Sequence, residues 1–180
     1  IQGAGITKGQ NVMVYGASGA IGSAAVQILK DMGVRVTAVC GTKNVDLLKS
    51  LGADEVIDYQ TQDFTDTKQR FDLVFDSVGK TSYGACKNIL KPTGKYCSTE
   101  LGFAGQNPLL AIWFAITGSK KVIFPIPKIT KMHITYMQNL VAKGAYLPVI
   151  DSVYPLEQIA QAAEYVDSGQ KTGNVLIKVI

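Results

Sequence analysis

Histidine occurs once and cysteine three times in these 180 residues. Cys40, Cys86 and Cys97 fall at no metal-ligand spacing and form no disulfide pattern, and His133 has no second histidine with which to share a metal. No metal site is therefore expected within the chain. Cys40 and Cys97 lie in apolar, strand-like runs where small buried thiols are common, which points to a reducing, cytoplasmic setting. No secretory or transit peptide opens the sequence. No apolar run reaches the ~20 residues that a membrane-spanning helix needs. The most apolar segment, Leu109 to Ile116, is too short for that and reads as a buried helix or a partner surface. The net charge of +4 is mild and the lysines are scattered, so neither nucleic acid nor a membrane is expected as a partner. An initiator methionine is missing at Ile1, and the chain reads as a piece of a longer protein.

What is present is organised around Val12-Met13-Val14-Tyr15-Gly16-Ala17-Ser18-Gly19-Ala20-Ile21-Gly22. Four apolar residues form a strand covered on both faces, glycines follow at every third position, and Ile21, Ala25, Ile28, Leu29 and Met32 then recur at helical spacing. A strand that feeds a helix through glycines leaves the helix N-terminus bare, which suits a diphosphate. The dinucleotide pattern G-x-G-x-x-G maps onto residues 17–22 with Ala17 in the first place. Gly19 lets the backbone approach a pyrophosphate, and Gly22 lets helix and strand pack closely. The competing reading is a structural turn in another α/β domain, such as a methyltransferase.

The second strand, Val34 to Cys40, closes a βαβ unit of about thirty residues. An NAD site usually carries an acid at the end of this strand. Here Cys40-Gly41-Thr42-Lys43-Asn44 carries none; the small residues make room, Thr42 offers a hydroxyl and Lys43 a positive charge, as a 2′-phosphate requires. NADP is favoured over NAD, against the alternative that Lys43 is only a solvated residue in a first helical turn. Further strands are expected at Glu55–Tyr59, Phe71–Asp76, Lys95–Ser98 and Lys121–Phe124, the last followed by Pro125 and Pro127. Helices are expected at Lys43–Leu51, at Tyr83–Leu90 and at Ile129–Lys143, the last with a buried stripe of Ile129, Met132, Tyr136, Met137 and Leu140. The fold class is α/β: a Rossmann fold, with a doubly wound six-stranded parallel sheet and helices on both faces. Ligands of such sheets bind at the carboxyl ends of the strands, where Tyr59, Val78 with Gly79, and Leu101 with Gly102 fall. The tail holds an extended segment, a helix with Leu156, Ile159, Ala160, Ala163 and Val166 on its apolar face, and a last strand that this sheet has no place for.

The order of motifs resembles the cofactor domain of the medium-chain dehydrogenase/reductase superfamily, in its zinc-independent quinone oxidoreductase-like branch. Residues 9–22, Leu51-Gly52-Ala53-Asp54-Glu55-Val56-Ile57-Asp58-Tyr59, Phe71-Asp72-Leu73-Val74-Phe75-Asp76-Ser77-Val78-Gly79 and the tail with Gly173-Asn174-Val175 carry the likeness. It implies an NADP(H)-binding domain over residues 1–148 and, over 149–180, the return segment of a GroES-like catalytic domain. That segment is left to fold back on the sheet, swap between chains or stay mobile. The resemblance further implies hydride transfer from NADPH to a quinone or an activated C=C or C=O substrate. Carried over by position, Ser18, Gly19, Ala20 and Ile21 meet the pyrophosphate, with Gly22 packing beneath them. Thr42 and Lys43 meet the 2′-phosphate, Tyr59 the adenosine end, and Val78, Leu101 and Gly102 the nicotinamide side. No catalytic residue is assigned, because the substrate pocket lies largely in the other domain, and the isolated chain is expected to bind cofactor without turnover. A homodimer through the sixth strand is also implied. Three rivals stand beside this. One is a short-chain dehydrogenase pair at Tyr83 and Lys87, which follows the glycine turn too soon. The others are a non-catalytic NADP(H)-sensing module and an enoyl-reductase segment of a larger synthase.

Overall fold

The computed structural model describes residues 2–102, 105–119, 121–125 and 129–179. Six parallel strands form one sheet in the order β3-β2-β1-β4-β5-β6. They are β1 (Asn11–Tyr15), β2 (Arg35–Cys40), β3 (Glu55–Asp58), β4 (Phe71–Asp76), β5 (Leu90–Ser98) and β6 (Val122–Ile123). The chain leaves β1, winds outward to β3, then returns beside β1 as β4, so the carboxyl end of β1 is the switch point of the sheet.

Period-two alternation divides the core between two faces. Val12, Val14, Val36, Ala38, Leu73 and Phe75 pack with Ala25, Val26 and Leu29 of α1 (Ala20–Asp31) and Leu48 of α2 (Val45–Ser50). Met13, Val39, Ile57, Val74 and Tyr96 pack on the opposite face with Cys86 and Ile89, and with Leu110, Ala111 and Phe114 of α4 (Gln106–Ile116). Val12, Met13 and Val14 are all fully buried. A strand covered on both faces needs this continuous apolar run, and each such side chain contributes about 1.5–3 kcal/mol of burial.

Several element expectations are corrected. The helix expected over Tyr83–Leu90 is a single turn, α3 (Tyr83–Cys86), followed by a 3-10 turn at Lys87–Ile89. The strand begins already at Leu90, which pairs with Phe71 before an irregularity brings Lys95 opposite Leu73. Pro92 accounts for this, because the residue before a proline is disfavoured in helix. Gly94 permits the detour: a Cβ there would stand 2.5 Å from the Phe71 carbonyl oxygen. The helix expected from Ile129 is α5 (Lys131–Ala142), capped by Thr130. Ile129 is 83% exposed and Met132 is exposed too, so only Leu140 of the expected stripe is fully buried. His133 lends its side chain to the cap, accepting from the Thr130 main-chain N–H. Of the sixth strand only Val122 and Ile123 are paired; Pro127 lies outside the described residues.

The tail makes a second sheet. β7 (Ile150–Pro155) and β8 (Asn174–Lys178) pair in parallel, joined by α6 (Ile159–Asp167) as the crossover. Of the residues on α6, Ala162 is the buried one; Leu156, Ile159 and Val166 of the expected apolar face are exposed. This pair is tied to the large sheet at the glycine turn, where the Gly173 N–H donates to the Ser18 carbonyl at 2.8 Å and Gly173 bridges to Gly19. The Gln27 amide fastens the lead-in, accepting from the Leu147 N–H at 2.8 Å and donating to its carbonyl at 3.0 Å.

Candidate functional site

The two glycines of the first turn are crowded in opposite ways. A Cβ on Gly22 would stand 2.3 Å from the Gly16 carbonyl oxygen and 2.7 Å from Ala17 Cα, both backbone atoms that cannot yield. Gly22 is therefore required by helix–strand packing. Gly19 has φ −74°, open to any residue, and a Cβ there would meet only the Gly16 carbonyl, at 3.5 Å. No contact within the protein demands glycine at this place. What its missing side chain keeps open is the space before α1, whose first turn has no side-chain cap and no acidic residue. That is the cradle a diphosphate needs, with free N–H groups and the positive end of the helix dipole facing it. Ala20 opens the helix beside this space; of the residues that recur at helical spacing, Ala25 and Leu29 are buried, with Gly22 and Val26 beside them, and Ile21 is exposed.

A groove of about 380 Å³ runs from this turn. Tyr15, Gly16, Ser18 and Gly19 form one side, Cys40 and Tyr59 the next, and Val78 with Lys80 the third. Val166, Gly169 and Lys171 of the tail complete it, and sequence reasoning placed none of these three at the site. Their signal was a topological one: the Gly173–Ser18 hydrogen bond carries residues 166–171 across the turn, and nothing in the local sequence announces that pairing. Lys171 now donates to the Gly173 carbonyl at 2.7 Å.

Gly41 lies against Tyr59 at the edge of the groove, and Thr42 and Lys43 follow it without lining the groove. A Cβ on Gly41 would be 3.2 Å from the Tyr59 hydroxyl, so that phenol lies over the loop after β2 while Tyr59 as a whole is exposed. Thr42 Oγ1 donates to Asp58 Oδ2 at 2.6 Å, and Lys43 Nζ donates to the Gln170 carbonyl at 2.6 Å. The end of β2 carries no acid, and the end of β3 places the Asp58 carboxylate on Thr42. Asp58 also accepts from the Gln60 N–H at 2.9 Å.

The loops after β1, β4 and β5 are stacked at the other end. Val78 lies on Gly16, where a Cβ would be 2.6 Å from Val78 Cγ1. Gly79 lies on Glu100, and Gly102 on Asn107, both at positive φ. Leu101 between them is 60% exposed. Fully buried Asp76 holds the loop after β4, accepting from the Val78 and Gly79 N–H groups and from the Tyr96 hydroxyl at 2.8 Å. Burial, reinforced by the Asp76 charge, pushes the Tyr96 phenol up, so it stays protonated and donating. Burial and then the Asp58 charge push Cys40 up to about 11, which leaves a neutral thiol in the groove wall and no nucleophile. Tyr83 packs edge-on against Phe114, with centroids 5.2 Å apart, so the Tyr83 and Lys87 pair belongs to a packed turn and lines no part of the groove.

This arrangement can hold an extended dinucleotide. A protein-family model described as a zinc-binding dehydrogenase matches residues 51–177. A chloroplast envelope quinone oxidoreductase homolog of Arabidopsis thaliana is 34% identical over 180 residues, covering 97% of this chain and 54% of that protein. A trans-enoyl reductase of Aspergillus terreus is 32% identical over 185 residues, covering 95% and 52%. The solved structure of the quinone oxidoreductase from Coxiella burnetii superposes with a TM-score of 0.87 at 25% identity, covering 99% of this chain and 56% of that one. The chain thus spans about half the length of the curated relatives it matches. The family's description carries zinc. Among the described residues, no three His, Cys, Asp or Glu side chains gather as a metal site requires, so these residues do not fit that ion.

Proposed function

This chain belongs to the zinc-binding dehydrogenase family, as the cofactor-binding domain of a medium-chain dehydrogenase/reductase, and from that premise we propose that it holds NADPH for a reductase acting on a quinone or an activated C=C or C=O bond. The observation that carries the reading is Gly19: a glycine that no internal contact requires keeps the groove open at an uncapped helix N-terminus. In this reading the main chain of Ser18, Gly19, Ala20 and Ile21 holds the diphosphate. Thr42, Lys43 and the Tyr59 hydroxyl hold the 2′-phosphate and ribose. Val78, Leu101 and Gly102 wall the nicotinamide half. The bound nicotinamide supplies a hydride; the residues of this chain fix where it stands and exclude water from one side. The acceptor's pocket belongs to the remainder of the protein. Residues 149–180 are proposed to complete that second unit, supported by the separate β7–β8 sheet and its exposed Ile150, Val153 and Leu176.

Asp58 supports a second reading, in which NADH is preferred, because a carboxylate beside Thr42 opposes a phosphate. The two are separated by turnover in the full-length protein, followed as loss of reduced-nicotinamide absorbance with a panel of quinones and α,β-unsaturated carbonyl compounds. NADPH consumption faster than NADH consumption is expected. Consumption of neither with any acceptor contradicts the proposal.

A homodimer through the outer edge of β6 is proposed with it, since that edge is unpaired among the described residues. Light scattering at high concentration checks this, and a monomer throughout contradicts it. Three buried, free thiols favour a reducing compartment, and the cytoplasm is the proposed one. Among the described residues no helix is long and apolar enough to cross a membrane.

A further inference from the structure

Asn107 is the second residue of α4, and it is fully buried. Its main-chain N–H is one of the first-turn donors a helix leaves without an internal partner. Here it donates to the Leu101 carbonyl at 3.0 Å. Its side-chain Nδ2 donates to the Glu100 carbonyl at 2.8 Å. The same amide lies against Gly102, which has φ +72°, and a Cβ there would come within 2.8 Å of Nδ2. Three consecutive residues of the loop after β5 are therefore fastened to one side chain and its own N–H.

The fastening reaches further. A Cβ on Gly79 would stand 2.6 Å from Glu100 Cβ, and Val78, its neighbour, lies on Gly16. Any shift at Glu100 is passed to the loop after β4 and so to the glycine turn. Among the described residues, the second carboxamide atom, Asn107 Oδ1, is buried with no hydrogen-bond partner. A buried acceptor left unpaired is costly, and an apolar residue would avoid that cost. The amide is kept for what its donor does.

We propose that Asn107 is a positioning residue for the nicotinamide end of the cofactor, holding residues 100–102 in the conformation that sets, through Gly79 and Val78, the wall of that half of the groove. The inference rests on the reading that Val78, Leu101 and Gly102 face the nicotinamide. It is independent of the adenylate end, which the loops after β2 and β3 build on the other side of β1.

The test separates the two halves of the ligand. Full-length protein and its Asn107→Ala variant are titrated with 2′,5′-ADP, which carries only the adenylate end, and with NADPH, whose fluorescence reports the surroundings of the nicotinamide. The variant is expected to bind 2′,5′-ADP within about twofold of wild type, to bind NADPH roughly tenfold more weakly, and to lose the fluorescence enhancement, as the loss of the side-chain hydrogen bond to Glu100 and of the packing on Gly102 implies, the main-chain bond to Leu101 being kept. Should Asn107→Ala fail to fold, Gly102→Ala displaces the loop from the same amide and carries the same expectation. Unchanged NADPH affinity and fluorescence overturn the proposal, as does an equal loss for both ligands, which marks a general structural role. Failure of wild type to bind either ligand overturns instead the reading of the groove on which it rests.

Discussion

Gly19 and Gly22 sit three residues apart in one motif and do opposite work. Gly22→Ala drives a Cβ into backbone, and overpacking without relief is expected to destabilise by at least about 3 kcal/mol in urea unfolding. Gly19→Ala has room, so stability is expected to change by less than about 1 kcal/mol while nucleotide binding is lost. If both variants unfold alike, or Gly19→Ala binds normally, the division is wrong. The motif already assigned Gly22 to helix–strand packing and Gly19 to a pyrophosphate; what the structure adds is that backbone atoms crowd a Cβ on Gly22 while none crowds one on Gly19. Asp58 was hidden in the sequence. It lies sixteen residues after Thr42, and only the pairing of β2 with β3 brings it to that hydroxyl. Asp58→Asn removes a charge beside the proposed phosphate site, so the ratio of NADPH to NADH affinity is expected to rise about five- to tenfold, while Lys43→Ala lowers it. An unchanged ratio in Asp58→Asn contradicts this placement of the 2′-phosphate.

Elements were legible where a period ran long enough. The apolar runs of β1, β2 and β4 have no other stable use than a doubly covered strand. α3 was misread because Tyr83 to Leu90 has helical composition, and Pro92 decides its end from outside the segment. α5 was misread in its facing: its apolar residues point outward as much as inward, so periodicity could not say which side is covered. The same holds for α4, where Phe114 packs on the sheet while Trp113 is 63% exposed. Of the two readings of Leu109 to Ile116, the buried helix holds on the side that bears Leu110, Ala111 and Phe114, while Leu109, Ile112, Trp113 and Ile116 are exposed. Packing between elements also carries a pH dependence. Partial burial alone raises the Asp54 carboxyl, but hydrogen bonds from Lys30 of α1 and the Val36 N–H of β2 outweigh it and hold the carboxyl below its usual 3.8. A depressed carboxyl stabilises the fold above its unfolded pKa and ceases to do so as pH falls through the folded value. Wild type is therefore expected to exceed Asp54→Asn in stability by a steady margin above about pH 5, and to lose that margin at lower pH. A margin that persists at about pH 2 contradicts the origin assigned to it.

For the whole molecule, a six-stranded sheet stands beside a two-stranded one built by the tail. The β7–β8 pair has only two strands, and such a pair needs a further layer to be stable alone. Its anchorage at Ser18 and Gly19 makes the end of α6 and the turn after it a wall of the groove, which no reading of the tail by itself could have revealed. The six-stranded sheet, its order and its switch point were legible because each rests on local pattern and a fixed crossover rule. Calorimetric titration of this chain with NADPH and, separately, with NADH decides whether the groove between the first glycine turn and the tail takes a nicotinamide dinucleotide phosphate. One-to-one binding of both, tighter for NADPH, is the expected result; the absence of saturable binding for either nucleotide contradicts it.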